Sequence, residues 1–249
     1  DPADHGMKFR KVSVPIRRGK RLYGWYLTAS DEADAPSVVV LHGWGANAEI
    51  MLPVAQPLYG AGMNVLLIDA RNHGQSPWDG YSAMPKFAED AGAAVDWLHA
   101  NTSTKSVALL GHSVGAAAVL LEASRRDDIA AVISIASFAH PEWLMQRWLQ
   151  GLRMPSGLIK VVLRYIEMLI GFKFDDISPV QTIKGVSGPV LLVHGDADDA
   201  VPVSDFEAIK ASMAGKDQSL LIEGAHHGSI DKIEEHGHEM VSFLRAAGL

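Results

Sequence analysis

Cysteine is absent from this sequence of 249 residues, which excludes a disulfide framework, a thiolate nucleophile and a cysteine-ligated zinc or iron–sulfur site. Charged residues are few, at 20%, and acidic residues exceed basic ones to give a net charge of −7. That balance argues against nucleic acid as a partner, because phosphates need a basic protein face. No apolar run is long enough to cross a bilayer, so we expect no membrane span.

What the sequence does contain is apolar residues, at 48%, in a chain long enough to bury a sizeable core. Short apolar runs without polar alternation are typical of strands that are buried on both faces, as in a parallel sheet. Stretches of helical periodicity lie between most of them, which predicts an α/β fold with a doubly wound sheet. The predicted strands are 37–41, 64–68, 106–110, 131–135 and 189–193, and the predicted helices are roughly 47–59, 85–100 and 113–125.

We expect residues 1–249 to form a single domain. Two segments of it depart from the alternation of buried strands and helices. Apolar residues alternate with polar ones over 12–16 and again over 23–27, which predicts an antiparallel hairpin at the sheet edge. Residues 138–180 are too many for an ordinary connection and carry a helical apolar pattern. We expect them to form a small helical lid inserted in the domain.

The first candidate for chemistry is Gly111-His-Ser113-Val-Gly115, which directly follows a predicted strand and opens a small-residue helix. A serine on such a tight turn is lifted clear of the backbone, and the flanking glycines permit the close approach. The helix N-terminus also presents free N–H groups to developing negative charge. The alternative is an ordinary serine N-cap.

A second glycine turn, His42-Gly43-Trp44-Gly45, follows the first buried strand. It can aim the backbone N–H of Trp44 at the same point as the N–H of Val114, and two such donors would form an oxyanion hole. A purely structural turn is the alternative at this position.

Together these segments resemble the α/β-hydrolase superfamily, in particular serine hydrolases of the serine aminopeptidase-like subgroup. The resemblance covers nearly the whole chain, and the subgroup often carries a hydrophobic N-terminal segment that is absent here. Since the chain begins at Asp1, we expect a processed or trimmed protein. Its compartment is left open, with a cytoplasmic protein and one released from an upstream anchor as the alternatives. The segments that carry the resemblance are the oxyanion turn 42–45, the stretch 69–76 with Asn72 in place of a glycine, the nucleophile elbow 111–115, the acid segment 194–202 and the base segment 224–227.

The resemblance implies a Ser–acid–His triad in the family's chain order, with Ser113 as nucleophile. The motif selects Asp198 as the acid that orients the base. Its neighbours Asp196 and Asp199 compete for that role, and Glu142 in the insertion is an outside candidate.

The base is one of two adjacent histidines. A histidine suits this role because a neutral imidazole can take the serine proton and later return it. The family spacing places the base three residues after Gly224, at His227. His226 then stands where relatives often carry glycine, and we expect it to adopt a positive φ.

The implied function is a serine hydrolase that cleaves carboxylic esters through an acyl-enzyme, with no organic or metal cofactor and with a small apolar acyl or aryl ester as substrate. We expect Trp143, Trp148 and Met145 to line its substrate pocket, although plain packing of the insertion would explain the same residues. Peptidase, thioesterase and C–C hydrolase activities would use the same triad. A non-catalytic binding protein on the same fold is the remaining alternative.

We expect the other polar residues at strand ends to stabilise the fold and to take no part in the chemistry. We expect Asp69 and Arg71 to form a buried ion pair or a hydrogen-bonded turn, and His73 and His112 to be structural. No metal is expected, because no carboxylate ligand set accompanies the histidines near the end of the chain, His226, His227, His236 and His238. The oligomeric state is left open.

Overall fold

The fold is described from a computed structural model, which covers residues 1–30, 32 and 34–249. Within these residues eight strands form a single sheet with the order β1-β2-β4-β3-β5-β6-β7-β8. The strands are β1 Phe9–Pro15, β2 Arg21–Leu27, β3 Ser37–Leu41, β4 Asn64–Ile68, β5 Val107–His112, β6 Ile129–Ile135, β7 Val190–Gly195 and β8 Gln218–Ile222.

The sheet is parallel from β4 across to β8, whereas β1 and β2 form an antiparallel hairpin that pairs with β4. The predicted fold class is therefore confirmed, including the edge hairpin. In a parallel sheet the carboxyl ends of all strands meet at one edge, which is where ligands and catalytic groups collect in open α/β sheets.

Helices cover both faces of the sheet and divide the core in two. Because side chains alternate along a strand, Val39 and Leu41 of β3 face one layer, while Val38 and Val40 face the other. The helices are α1 Leu52–Gly60, α2 Met84–Asn101, α3 Val114–Ala123, α4 Pro141–Gly151, α5 Ser156–Ile170, α6 Phe174–Ile177, α7 Pro179–Thr182, α8 Val203–Lys210, α9 Ile230–Glu235 and α10 Gly237–Ala246.

The segment between β6 and β7 is helical, as its pattern predicts, and contains α4 to α7. Helix α5 buries Ile159 and Leu163 against the core that also holds α2 and α3. Its Glu167 is buried too, where it accepts hydrogen bonds from Arg164 and from the backbone N–H of Phe174. These bonds tie the end of α5 to α6.

Candidate active site

Ser113 lies on a sharp turn between β5 and α3 with φ 56° and ψ −120°. This is a left-handed φ that a non-glycine residue rarely adopts, and such strain persists only where the surroundings hold it. The backbone N–H of Ser113 donates to Ile135 O at 2.8 Å, which anchors the turn to β6. The turn thus presents the side chain at the carboxyl edge of the sheet.

The flanking glycines are required by close backbone contacts. A Cβ on Gly111 would overlap the carbonyl of Gly115, and one on Gly115 would overlap the carbonyls of Leu41 and His42. The G-x-S-x-G spacing is therefore a packing requirement of this turn, and a serine that merely caps a helix would not need it.

The structure brings three predicted residues together at this edge. Ser113 Oγ lies 2.9 Å from His227 Nε2, and His227 Nδ1 lies 2.8 Å from Asp198 Oδ2. An ionised carboxylate only accepts hydrogen bonds, so Nδ1 carries the proton that points to Asp198 and Nε2 is free to accept from the serine hydroxyl. This arrangement equips His227 to remove the Ser113 proton.

The loop after β7 holds Asp198 in place. Its Oδ1 accepts the N–H groups of Ala200 and Val201 at 2.9 and 2.8 Å, which leaves Oδ2 for His227. Burial opposes ionisation of this carboxyl, but the hydrogen bonds from His227 and Val201 outweigh burial and lower the pKa of Asp198 below its usual value. The acid is thus kept as a carboxylate at neutral pH.

The three other carboxylates considered for the role of the acid lie elsewhere and do not bond to His227 within the described residues. Asp196 Oδ1 accepts the N–H of Gly224 at 2.6 Å and so ties the β7 loop to the β8 loop. Asp199 is exposed to solvent, and Glu142 is exposed in the first turn of α4. Neither Asp196, Asp199 nor Glu142 makes a hydrogen bond to His227 within the described part of the chain.

The expectation for the backbone of His226 is wrong. Its φ is not positive, and the left-handed residue of this loop is Gly224, at φ 65°. Glycine there makes the reversal, so His226 needs no special conformation. His226 is exposed, and its backbone N–H donates to Ser229 Oγ at 3.0 Å.

The oxyanion turn is held by a buried histidine. His42 Nε2 accepts the N–H of Ala70 at 3.0 Å, so its proton is on Nδ1 and donates to Gly43 O at 2.7 Å. The C=O and N–H of one peptide unit point in opposite directions, so pinning Gly43 O turns the Trp44 N–H the other way. A Cβ on Gly43 would lie only 3.2 Å from Ser113 Cβ, so this peptide is held beside Ser113.

The loop after β4 supports that turn through two separate sets of bonds. Asp69 accepts the N–H groups of Ala48 and Gln75, each at 2.7 Å, and is thus a turn-forming residue. Arg71 does not pair with Asp69. Its guanidinium contacts the buried Asp90 at 2.6 Å, so the ion pair expected here joins the loop to α2 instead.

His112 is a neighbour of His227 that the motif alone does not explain. Its Nε2–H donates to the backbone carbonyl of His227 at 2.8 Å. Burial, assisted by the proximity of His227, lowers the pKa of His112 to about 4. His112 is therefore neutral at physiological pH and adds no positive charge beside the base.

We expect acid to destabilise the fold through His112. Its pKa is about 4 when folded, against about 6.5 in the unfolded chain, so between these values only the unfolded chain takes up the proton. The free energy of unfolding should then fall as the pH falls through this window, by on the order of 3 kcal/mol. Urea unfolding at pH values inside and above the window measures the loss.

His112→Gln provides the comparison, since its amide can still donate to the His227 carbonyl. The acid-induced loss should shrink in this variant and stay at the wild-type value in His5→Gln, which alters an exposed histidine. Equal losses in all three proteins would contradict the assignment.

The structure does not connect the predicted pocket residues to Ser113, His227 or Asp198. Trp143 stacks on His140 with ring centroids 5.3 Å apart, Trp148 is 64% exposed, and Met145 is half-buried against the core. No hydrogen bond or ring contact joins any of them to Ser113 among the described residues. Their role in a substrate pocket stays a prediction.

The side chain of Trp44 is a feature that the sequence reasoning missed. Its ring stacks on the buried Phe87 at 6.3 Å and meets the edge of His73 at 5.8 Å, yet it is 61% exposed. The available signal in the sequence was the position of Trp44 within the glycine turn that follows β3. Trp44 thus adds an apolar wall at the site.

Comparisons with known proteins agree with this architecture. A family model described as serine aminopeptidase, S33, matches residues 32–170. The uncharacterized protein Rv2307c of Mycobacterium tuberculosis is 28% identical over 240 residues, which are 95% of this chain and 78% of that protein. Human protein ABHD12B is 28% identical over 208 residues, 77% of this chain and 54% of that protein.

Solved structures share the fold at lower identity. Esterase Pf2001 of Pyrococcus furiosus superposes with a TM-score of 0.80 at 23% identity, covering 100% of this chain and 94% of its own. Est1E of Butyrivibrio proteoclasticus, solved with ferulic acid bound, has a TM-score of 0.74 at 20% identity, covering 94% of this chain and 99% of its own.

Proposed function

Since this chain belongs to the serine aminopeptidase S33 family and has the α/β-hydrolase fold, we propose that it is a serine hydrolase that cleaves carboxylic esters. One observation carries the proposal: the hydrogen-bonded chain from Ser113 Oγ through the His227 ring to Asp198. A nucleophile, a base and an orienting acid in that order are what acyl transfer by serine needs.

The proposed cycle begins with attack of Ser113 Oγ on the ester carbonyl carbon while His227 Nε2 takes the hydroxyl proton. The carbonyl oxygen becomes an oxyanion, which the N–H groups of Trp44 and Val114 stabilise. Within the described residues neither amide donates to another protein group, so both are free for this role. His227 returns the proton to the leaving alcohol, and water then hydrolyses the acyl-enzyme by the same route.

Apolar surroundings support an ester with a small acyl or aryl group. The exposed ring of Trp44 lies at the turn that carries an oxyanion donor, and its partners Phe87 and His73 hold it there. Of the proteins that share the fold, the one from P. furiosus is described as an esterase, and Est1E from B. proteoclasticus was solved with ferulic acid bound. The residues around the triad require no cofactor for this chemistry.

A fluorophosphonate probe and a substrate panel test the proposal together. The probe should label the wild-type protein at Ser113 and leave a Ser113→Ala protein unlabelled. The p-nitrophenyl esters from acetate to palmitate should be cleaved faster than an aminoacyl-anilide. Preferred cleavage of the anilide would replace the ester assignment by a peptidase, and absence of labelling would favour a binding protein.

The insertion supplies a further prediction, namely that its helices act as a lid. Replacing Trp143 and Trp148 by alanine should change kcat/KM unevenly across acyl chain lengths, because a lining residue contacts long and short chains differently. Steady-state kinetics over the ester panel measures this. A uniform effect on every ester, or none, would assign both tryptophans to packing.

A further inference from the structure

Exposed apolar side chains are concentrated on two helices. Of the thirteen large hydrophobic side chains that the described residues expose, eight belong to α4, α5 and the turn between them. A monomeric protein rarely exposes apolar surface in such a concentration, and where it does the patch is usually an interaction site. The term α4–α5 face is used here for Trp148, Leu152, Leu158, Val161, Tyr165 and Met168.

The exposure on α5 follows the helical repeat. Leu158, Val161, Tyr165 and Met168 recur at spacings of three and four residues and lie within an arc of about 80° on the helix circumference. The core side of α5 is a different arc, occupied by Ile159 and Leu163. A surface helix normally turns polar residues outward, and the outward stripe here ends in Met168 at 72% exposure.

The charge of this segment is opposite to that of the rest of the chain. Residues 141–170 contain four basic and two acidic residues, whereas the remaining sequence contains 18 basic and 27 acidic ones. Arg153 and Lys160 are exposed and form no ion pair with any acidic residue that the structure describes. Of the two acidic residues in the segment, Glu167 is already bonded to Arg164, and Glu142 is exposed in the first turn of α4. The α4–α5 face is therefore apolar and bordered by free positive charge.

We propose that the α4–α5 face docks on the surface of an anionic lipid bilayer. An apolar stripe bordered by Lys and Arg is the pattern of a helix that lies in the membrane interface, with its apolar side among the acyl chains and its cations at the headgroups. Trp148 and Tyr165 are side chains suited to that depth.

Charge argues against a second copy of the chain as the occupant. A two-fold contact through this face would bring the same patch of each protomer together and with it an excess of positive charge, since each copy sets Arg153 and Lys160 against the single unpaired carboxylate of Glu142 in this segment. Anionic headgroups supply the missing negative charge. No described helix has the length and hydropathy needed to cross a bilayer, so the contact is one of docking and not of insertion.

The face is connected to the candidate site through the loop after β4. Tyr81 in that loop donates its hydroxyl hydrogen to Leu169 O in α5 at 3.0 Å. The same loop carries His73, which contacts the ring of Trp44. Docking would therefore place lipid beside the edge of the sheet that bears Ser113, but the docking itself does not depend on catalysis.

Flotation of Ser113→Ala protein with vesicles tests the proposal without any turnover of lipid. The protein should float with phosphatidylcholine vesicles that contain about one third phosphatidylglycerol, and much less with pure phosphatidylcholine. The pairs Val161→Ser with Met168→Gln, and Arg153→Glu with Lys160→Glu, should each lower the bound fraction by about tenfold or more.

Matched controls alter other exposed residues outside the α4–α5 face. Leu221→Ser on β8 and the pair Lys8→Glu with Lys11→Glu on the hairpin side should float like the parent. The proposal would be overturned if the Ser113→Ala parent did not float, or if the variants of the α4–α5 face floated as well as the parent. The proposal would also be overturned, in favour of self-association, if the parent did not bind vesicles but formed a dimer, and if the variant with Val161→Ser and Met168→Gln were monomeric.

Discussion

Replacing Ser113 by alanine is expected to lower kcat on p-nitrophenyl esters by about 10⁴-fold or more while the fold stays intact. The hydroxyl is the group that forms the acyl bond in the proposed cycle, and its hydrogen bond to His227 is its link to the rest of the site. Alanine adopts the left-handed φ of this turn at a cost similar to that of serine, so stability should change little.

The measurement is steady-state turnover of purified protein, with circular dichroism to verify folding. Ser187→Ala is the matched control, because Ser187 precedes β7 and lies at the opposite edge of the sheet. It should retain wild-type turnover. Near-normal turnover by folded Ser113→Ala protein would rule out Ser113 as the nucleophile and with it the proposed mechanism.

Substitution of the two adjacent histidines should have very different effects. His227→Ala should lose nearly all turnover, by about the same factor as Ser113→Ala, because residues of a triad act as a unit. His226→Ala should keep substantial activity, since the His226 side chain is exposed and its backbone bond to Ser229 survives the change.

Kinetics of both variants on one short-chain ester decides between them, and His226→Ala is itself the matched control. Loss of turnover in His226→Ala with survival in His227→Ala would show that the base lies one residue earlier than the motif indicates. Equal loss in both would point to the backbone of the β8–α9 loop, which carries the two side chains and accepts the His112 N–H.

Much of the fold could be predicted from periodicity. The apolar runs 37–41 and 64–68 coincide with β3 and β4 because both strands are buried on both faces, a state that leaves a continuous apolar signal. The prediction for β5 ends two residues early. His112 continues the strand to the nucleophile turn, where it bonds to a carbonyl that is remote in sequence, and no local pattern encodes such a partner.

The interactions around the candidate site were harder to predict from the sequence. Arg71 and Asp69 are neighbours in the sequence and suggested an ion pair, yet Arg71 reaches Asp90 on α2 and Asp69 binds backbone amides instead. Three carboxylates at 196, 198 and 199 differ in sequence only by position. Which of them bonds to His227 depends on the direction that the loop gives each side chain.

The sequence by itself determined the α/β architecture, the hairpin at its edge and the strand ends where polar residues collect. Burial repeats along a strand or helix, so the sequence records it locally. Only the tertiary structure decided that Asp198 bonds to His227, that His42 bonds to the Gly43 carbonyl, and that α5 leaves an apolar stripe uncovered. The physical reason is that these contacts join segments far apart in the chain, whose relative placement is set by the packing of the whole sheet.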